Sequence, residues 1–401
     1  MACHTLCTQG VGVCIRATTL SCTRGWFFVH QFDPHAYAQA FELATHVRGR
    51  TSPNPPVGAV VVRNGQIIGS GATQPPGGPH AERMALAMAG DAACGADLYV
   101  TLEPCTFHGR TPACTDAIIA AGIRRVYYGF RDCDPRMPSN GAESILAPHG
   151  IDVIHVTPPQ PQSQHALHLA PFVWRIQHQR PFVTLKYAMS LDGKIATHSG
   201  VSQWISHEHS RAHVQQIRAS VDAILTGSGT ACTDNPRLTV RHTSQASPHT
   251  PLRVLLDSHG RTPTTSHIFD TTMAPTMVFT SSHASQIWRD SLAHQGVQIH
   301  ICNCTPSPLT EVLSQLHAMG INHVLVEAGS RLAGALADAD LIDEVHAFIA
   351  PGFIGNPAAP GPIGGAGISQ LVDWQRFTII DVQHSAADVH IHACRPSIFT
   401  H

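Results

Sequence analysis

The sequence predicts two α/β domains in tandem, and three observations carry that prediction. A chain of 401 residues is longer than one hydrophobic core usually organises. Short apolar runs of strand character alternate with helix-periodic stretches in two separate series, the pattern of a sheet with helices packed on it. Between the series lies Thr157-Pro-Pro-Gln-Pro-Gln-Ser-Gln164, polar and proline-bearing as linkers are. The expected boundaries are 31–156 for the first domain, 157–180 for a linker and connecting helix, and 181–401 for the second. Residues 1–30 hold no acidic residue, four cysteines and no sustained apolar run. They are expected to be a disordered or non-native N-terminal extension rather than a signal peptide.

The elements follow in order. Residues 34–47 have apolar positions at helical spacing. Strands are expected at 57–62 and 66–71 around Asn64-Gly65, a pair that tolerates the positive φ of a tight hairpin turn. A helix at 81–89, a strand at 97–102, a helix at 115–121 and a strand at 125–130 complete the first series. In the second, strands are expected at 182–187, 223–226, 253–257, 277–280, 297–301 and 324–327, with helices between several of them.

Composition removes some functions. Hydrophobic residues make up 43% and charged residues 13%, the net charge is −2, and no Lys/Arg run is present. The electrostatic footprint of a nucleic-acid binder is missing, and the longest apolar runs are too short to span a bilayer. A cytoplasmic enzyme acting on a small molecule, without nucleic-acid or membrane partners and assembled as a homo-oligomer, is the expectation. The 12 cysteines are spread along the chain and the 29 histidines form no tract. Of 25 basic residues only Lys186 and Lys194 are lysine, and they share one short segment. Ammonium and guanidinium are not interchangeable donors, so this segment is expected to touch ligand.

The first chemical motif is His80-Ala81-Glu82, followed by Pro104-Cys105 and Cys114. One imidazole and two thiolates suit zinc, and three protein ligands leave a position for water, as catalytic zinc sites require. Such a site lowers the pKa of water from about 15.7 to roughly 7. Glu82 is not needed for coordination and can carry a proton from water to a departing amine. Both His80 and Cys114 precede predicted helices, whose N-terminal dipoles favour thiolate. The His-x-Glu and Pro-Cys pairing is the pattern of zinc deaminases, although their second cysteine usually follows three residues on; here the two cysteines are nine apart. A structural zinc module closed by His108 as fourth ligand is the alternative.

The segments Ser52-Pro-Asn-Pro-Pro-Val-Gly-Ala59, Pro79-His-Ala-Glu82 and Thr101-Leu-Glu-Pro-Cys-Thr-Phe-His-Gly-Arg-Thr-Pro-Ala-Cys114 resemble the deaminase half of the bifunctional riboflavin-biosynthesis deaminase/reductases. In that family the wide cysteine spacing is normal. Pro181-Phe-Val-Thr-Leu-Lys186, Ser190-Leu-Asp-Gly-Lys194, Ser202-Gln-Trp-Ile205, Asp222-Ala-Ile-Leu-Thr-Gly-Ser-Gly-Thr230, Thr233-Asp-Asn-Pro-Arg-Leu-Thr-Val-Arg241 and Val326-Glu-Ala-Gly-Ser-Arg-Leu-Ala-Gly-Ala-Leu336 resemble its reductase half. The resemblance runs from about residue 33 to 395. It implies a cytidine-deaminase-like α/β/α domain followed by a dihydrofolate-reductase-like α/β domain, with one Zn2+ per chain and NADPH as cofactors. The implied reactions are loss of the 2-amino group from a diaminopyrimidinone ribosylamino phosphate, then reduction of its ribosyl group to ribityl.

The same resemblance implies His80, Cys105 and Cys114 on zinc and Glu82 as proton carrier. Ala188, Trp204, Thr230, Asp234, Ser258 and the run Gly329, Ser330, Arg331, Leu332, Ala333, Gly334, Ala335 are implied to line the dinucleotide. Ser202, Arg218, Leu238, Arg241 and Glu327 are implied to meet substrate, with Lys186 and Asp234 at the sugar hydroxyls. Chemistry alone says less of this half: there is no G-x-G-x-x-G, and the strand ending at Glu327 before Ala328-Gly329 and a helix is only compatible with phosphate binding. One departure is local. Asp132-Cys-Asp-Pro135 and Ser139-Asn-Gly141 replace the family's Asp-Pro-Asn-Pro and Gly-Arg-Gly, which leaves a reductase with an inert deaminase domain as a second alternative.

Overall fold

The computed structural model describes residues 14–15, 32–157, 164–241, 249–302 and 308–399, and the chain divides into two units, 1–169 and 170–401. Most of the N-terminal extension and residues 158–163 of the expected linker lie outside the described residues. Unit one runs β1 (Cys14–Ile15), α1 (Pro34–His46), β2 (Gly58–Arg63), β3 (Gln66–Ala72), α2 (Ala81–Ala89), β4 (Asp97–Leu102), α3 (Cys114–Ala120), β5 (Arg125–Phe130), α4 (Glu143–Leu146) and β6 (Asp152–Thr157). Its sheet has the order β1-β6-β5-β4-β2-β3. Asp33 caps α1, its carboxylate accepting from the amides of His35 and Ala36, and Pro34 opens the helix where no amide donor is needed. The helix buries Ala36, Tyr37, Ala40, Phe41 and Ala44 against Val60, Val62, Tyr99 and Tyr127. Contact is close enough that a Cβ on Gly58 would lie 1.9 Å from the Ala40 carbonyl oxygen. The hairpin between β2 and β3 turns through Asn64 and Gly65 at φ 53° and 73°, as their residue types predict.

α5 (Gln164–His178) occupies the place expected of the connecting helix. Unit two then runs β7 (Phe182–Ser190), α6 (Glu208–Ala219), β8 (Ala223–Gly227), α7 (Ser228–Asp234), β9 (Leu252–Leu256), β10 (Thr276–Thr280), α8 (Gln286–His294), β11 (Gln298–Ile301), α9 (Pro308–Ala318), β12 (His323–Glu327), α10 (Ser330–Asp338), β13 (Glu344–Ala350), β14 (Thr378–Ser385) and β15 (Asp388–Cys394). The sheet order is β11-β10-β9-β8-β12-β7-β13-β15-β14. It is parallel from β11 to β13, and β15 and β14 add antiparallel. Alternate residues of the central strands enter opposite cores: Val183, Leu185, Val324 and Val326 on one face, Ile224, Leu255, Leu325 and Phe348 on the other. Such two-sided burial suits a parallel sheet. It leaves the carboxyl ends of β8, β12 and β7, where ligands bind in open α/β sheets, as the place to look.

Candidate active sites

His80 is the N-cap residue of α2, Cys105 follows β4 by three residues, and Cys114 is the first residue of α3. Strand β4 thus sets one thiol between two helix starts. His80 Nδ1 lies 3.3 Å from Cys114 Sγ and 3.6 Å from Cys105 Sγ, and the Cys114 amide donates to Cys105 Sγ at 3.4 Å. Zinc bonds of roughly 2.0 Å to nitrogen and 2.3 Å to sulfur place tetrahedral ligand atoms about 3.5 Å apart. The donor set therefore fits that ion. With Nδ1 turned to the sulfurs, the other ring nitrogen carries the proton and donates to Thr111 Oγ1 at 3.2 Å, fixing the ring. The Cys114 thiol, and secondarily His80, hold Cys105 down to about 4 against its burial. Glu82, in the first turn of α2, is 4% exposed, and burial pushes its carboxyl up to about 7, the Cys105 charge adding and His80 opposing. His108 does not close this shell. Its side chain is 70% exposed and pairs with Asp116 at 2.9 Å.

The altered loop is anchored by a residue that the motif reading passed over. Glu103, buried between β4 and Cys105, accepts from the amides of Asp132 (3.3 Å) and Ala142 (2.8 Å). Gly141, at φ 60°, approaches so closely that a Cβ would lie 1.9 Å from Glu103 Oε1. Arg136 pairs with Asp134 and lies 3.8 Å over the Phe107 ring. The loop is thus packed onto the segment that carries Cys105. Sequence offered one signal for Glu103, a carboxylate beside an apolar strand and before a proline.

In unit two Lys186 and Glu327 are register partners on β7 and β12, with Nζ 3.0 Å from Glu327 Oε2. Arg218, from the last turn of α6, meets the same carboxylate at 2.5 and 3.0 Å and donates to the Thr239 carbonyl at 3.1 Å. Three of its five N–H groups are thereby engaged. Burial would raise the Glu327 carboxyl; Arg218 and Lys186 override it and hold the group well below the usual range. A second pair joins Ser202 Oγ to Asp234 (3.0 Å), and a third joins the Gly329 amide to Thr230 Oγ1 (3.1 Å). No side chain caps α10 after Gly329, which suits a phosphate at its start. Ala188 lies two residues beyond Lys186 on β7. Trp204 is 69% exposed with Arg211 4.8 Å over its ring.

Other predicted positions behave differently. Among the described residues no hydrogen bond joins Trp204, Ser258 or Arg241 to these groups. Ser258 is exposed past β9, and the Arg241 amide donates to Gln215. Leu238 is buried at φ 48°, so only its backbone is suited to a ligand. Ser330 and Leu332 are half-buried, and Arg331 and Ala335 face outward. Ala333 enters the core instead, and a Cβ on Gly334 would fall 2.2 Å from Gly364, so that glycine serves helix packing. Lys194 departs from the expectation for its segment. Its Nζ donates to the Ala359 carbonyl, while the neighbouring Asp192 accepts from the Ile354 and Gly355 amides, closing a turn. Arg253 was also missed. Fully buried, it donates to the carbonyls of Arg237, His267, Asp270 and Ala274, tying the strand to the segment that bears Asp234 and Leu238.

Residues 31–130 match the cytidine and deoxycytidylate deaminase zinc-binding region, and residues 181–391 match the RibD C-terminal domain. Fold and sites together define a class: a zinc-dependent deaminase domain followed by a reductase domain. Riboflavin biosynthesis protein RibD of Bacillus amyloliquefaciens is 39% identical over 88% of this chain and 94% of its own length. That of Escherichia coli K12 is 38% identical over 90% and 98%. The chain belongs to the RibD family of riboflavin biosynthesis proteins. Two solved structures are similar throughout. An Acinetobacter baumannii RibD has TM-score 0.78 and 34% identity over 90% of this chain and 98% of that one. A Thermotoga maritima diaminohydroxyphosphoribosylaminopyrimidine deaminase/5-amino-6-(5-phosphoribosylamino)uracil reductase has TM-score 0.77 and 35% identity over 90% and 97%.

Proposed function

We infer that the chain performs two consecutive steps of riboflavin biosynthesis. Residues 31–156 deaminate a diaminohydroxyphosphoribosylaminopyrimidine, and residues 181–401 reduce 5-amino-6-(5-phosphoribosylamino)uracil to its ribitylamino product. The observation that carries the first step is the convergence of His80 Nδ1, Cys105 Sγ and Cys114 Sγ beside buried Glu82. When bound, zinc supplies a Lewis acid that makes water nucleophilic near neutral pH. Thr111 orients His80. Glu82, buried in the first turn of α2, takes a proton and returns it to the departing amine. Glu103 holds the 132–142 loop over the Cys105 segment.

When bound, NADPH would supply the hydride of the second step; Thr230, Gly329 and Ser330 would hold its phosphates, and Ala188, Trp204, Asp234 and Ser258 would line the rest of it. Lys186, paired with Glu327 at 3.0 Å, donates a proton to the sugar oxygen as the carbonyl is reduced, and Ser202 with Asp234 holds the hydroxyls. Arg241 is the stronger phosphate candidate, because Arg218 is already committed to Glu327. Incubation with the diaminopyrimidine phosphate and NADPH should release ammonia and oxidise NADPH in sequence. Cys114→Ser should lose the zinc held with His80 and Cys105, and ammonia release, while still reducing pre-deaminated substrate. Wild-type deamination by that variant removes the ligand assignment, and NADPH oxidation without ammonia leaves a reductase only.

We propose a cytoplasmic location; supporting it, Cys94, Cys105, Cys114, Cys133 and Cys232 are unbridged thiols, as a reducing compartment keeps them. No described helix is long and apolar enough to cross a membrane. A homo-oligomer is supported by edge strand β14, which exposes Ile379 and Val382 near Leu371, Val372 and Trp374 in sequence. Light scattering of the purified chain should give a dimer or larger, and a monomer at micromolar concentration overturns that reading.

A further inference from the structure

Strands β13 and β15 pair antiparallel with Glu344 opposite Cys394 and His346 opposite His392. Side chains at these positions share one face, so an acid, two imidazoles and a thiol meet. His392 Nε2 lies 2.8 Å from Glu344 Oε1, Cys394 Sγ lies 3.8 Å from that oxygen, and Cys394 Sγ lies 3.7 Å from His392 Nε2. His346 and His323 reach the other carboxylate oxygen at 3.7 and 3.8 Å, and Thr184 donates to it. Glu344 is 5% exposed and Cys394 fully buried. Among the described residues no lysine or arginine pairs with Glu344. A buried carboxylate with only imidazoles as counter-charge is costly unless a cation joins it.

We propose that Glu344, His392 and Cys394 bind a divalent cation of borderline softness, zinc first, at a second metal site that lies in the reductase unit. The two sulfur separations match the roughly 3.5 Å of tetrahedral ligand pairs and the spacing seen around His80. Carboxylate, thiolate and neutral imidazole bring a divalent ion to zero net charge, so the buried site carries no uncompensated charge. A hydrogen-bond network explains the 2.8 Å His392–Glu344 contact; a cation would in addition draw the Cys394 sulfur, already 3.7 and 3.8 Å from these two groups, into its shell. His346, whose ring stacks on His392 with centroids 4.3 Å apart, stands nearest the remaining position. The ion staples the antiparallel strand pair to the parallel sheet, one register step from Lys186.

The test is metal content of the full chain after zinc loading and gel filtration. Wild type should carry two zinc ions per chain, Cys114→Ser one, Cys394→Ser with His392→Ala one, and the combined variant none. The Cys394/His392 variant should release ammonia at the wild-type rate. Where that variant folds poorly, Glu344→Gln, close in shape, serves instead with circular dichroism as the fold check. Cobalt titrated into Cys114→Ser should give a tetrahedral visible spectrum with a single-thiolate charge-transfer band that Glu344→Gln abolishes. One zinc per wild-type chain, all lost in Cys114→Ser, overturns the proposal; so does a folded Glu344→Gln that keeps two.

Discussion

At the residue scale the chemistry rests on a few carboxylates whose surroundings differ sharply. Burial makes Glu82 bind its proton more tightly than usual, whereas Glu327, buried beside Arg218 and Lys186, releases it. Glu82→Gln should lower ammonia release by about 10²–10⁴-fold while zinc content stays at the wild-type level. Metal analysis alongside the assay checks both parts. Glu327→Gln leaves Arg218 and Lys186 as buried cations without their carboxylate. Breaking such a pair costs about 3–5 kcal/mol, read as a shift of the urea midpoint. The sign of its pH dependence follows from the depressed folded-state value. The contribution is complete above the ordinary glutamate value of 4.5 and is lost as pH falls toward the lower one. Wild type should therefore weaken on acidification more steeply than Glu327→Gln. Equal slopes would show that Glu327 is not held ionised.

At the element scale the 132–142 loop is fixed by backbone fit. Gly141→Ala meets both a positive φ and Glu103 Oε1, so the loop must move. Deamination should drop on the order of 10²-fold with zinc and NADPH oxidation retained; unchanged deamination would show that the loop does not position substrate. The same scale shows what could be read from the chain. Strands rich in Val, Ile and Leu, such as β2, β4, β8 and β12, and the Asn64-Gly65 hairpin were legible to within a residue or two. Strands β13 and β15 were not, because His346 and His390 are buried and His392 half-buried where an apolar residue is expected. β6 carries His155 in the same way, its ring stacked on Tyr128. His80, Cys105, Cys114 and Glu82 were legible because zinc demands particular residue types. Glu103, Thr111 and Arg253 were not: their roles lie in hydrogen bonds to backbone or ring atoms that spacing does not encode.

At the scale of the whole molecule NADPH and the deaminase-site zinc belong to different units. Hydrogen exchange should show zinc protecting peptides of 1–169 around His80, Cys105 and Cys114, and within 170–401 only the peptides of β13 and β15 that carry Glu344, His392 and Cys394. NADPH at a hundred times its dissociation constant should stabilise peptides of 170–401 by about 2.7 kcal/mol. Zinc protection absent from 1–169, or NADPH protection confined to it, would reverse the assignment of sites. The placement of Lys186 and Lys194 has a practical corollary. Apart from a terminal amine, every primary amine in the 401 residues sits on β7 or the turn after it, one beside Glu327 and the other on the Ala359 carbonyl. An acylating reagent that elsewhere tags a protein at random would here modify one short stretch of the reductase unit. Its rate of reaction at Lys186, with and without nucleotide, becomes a direct chemical footprint of that pocket.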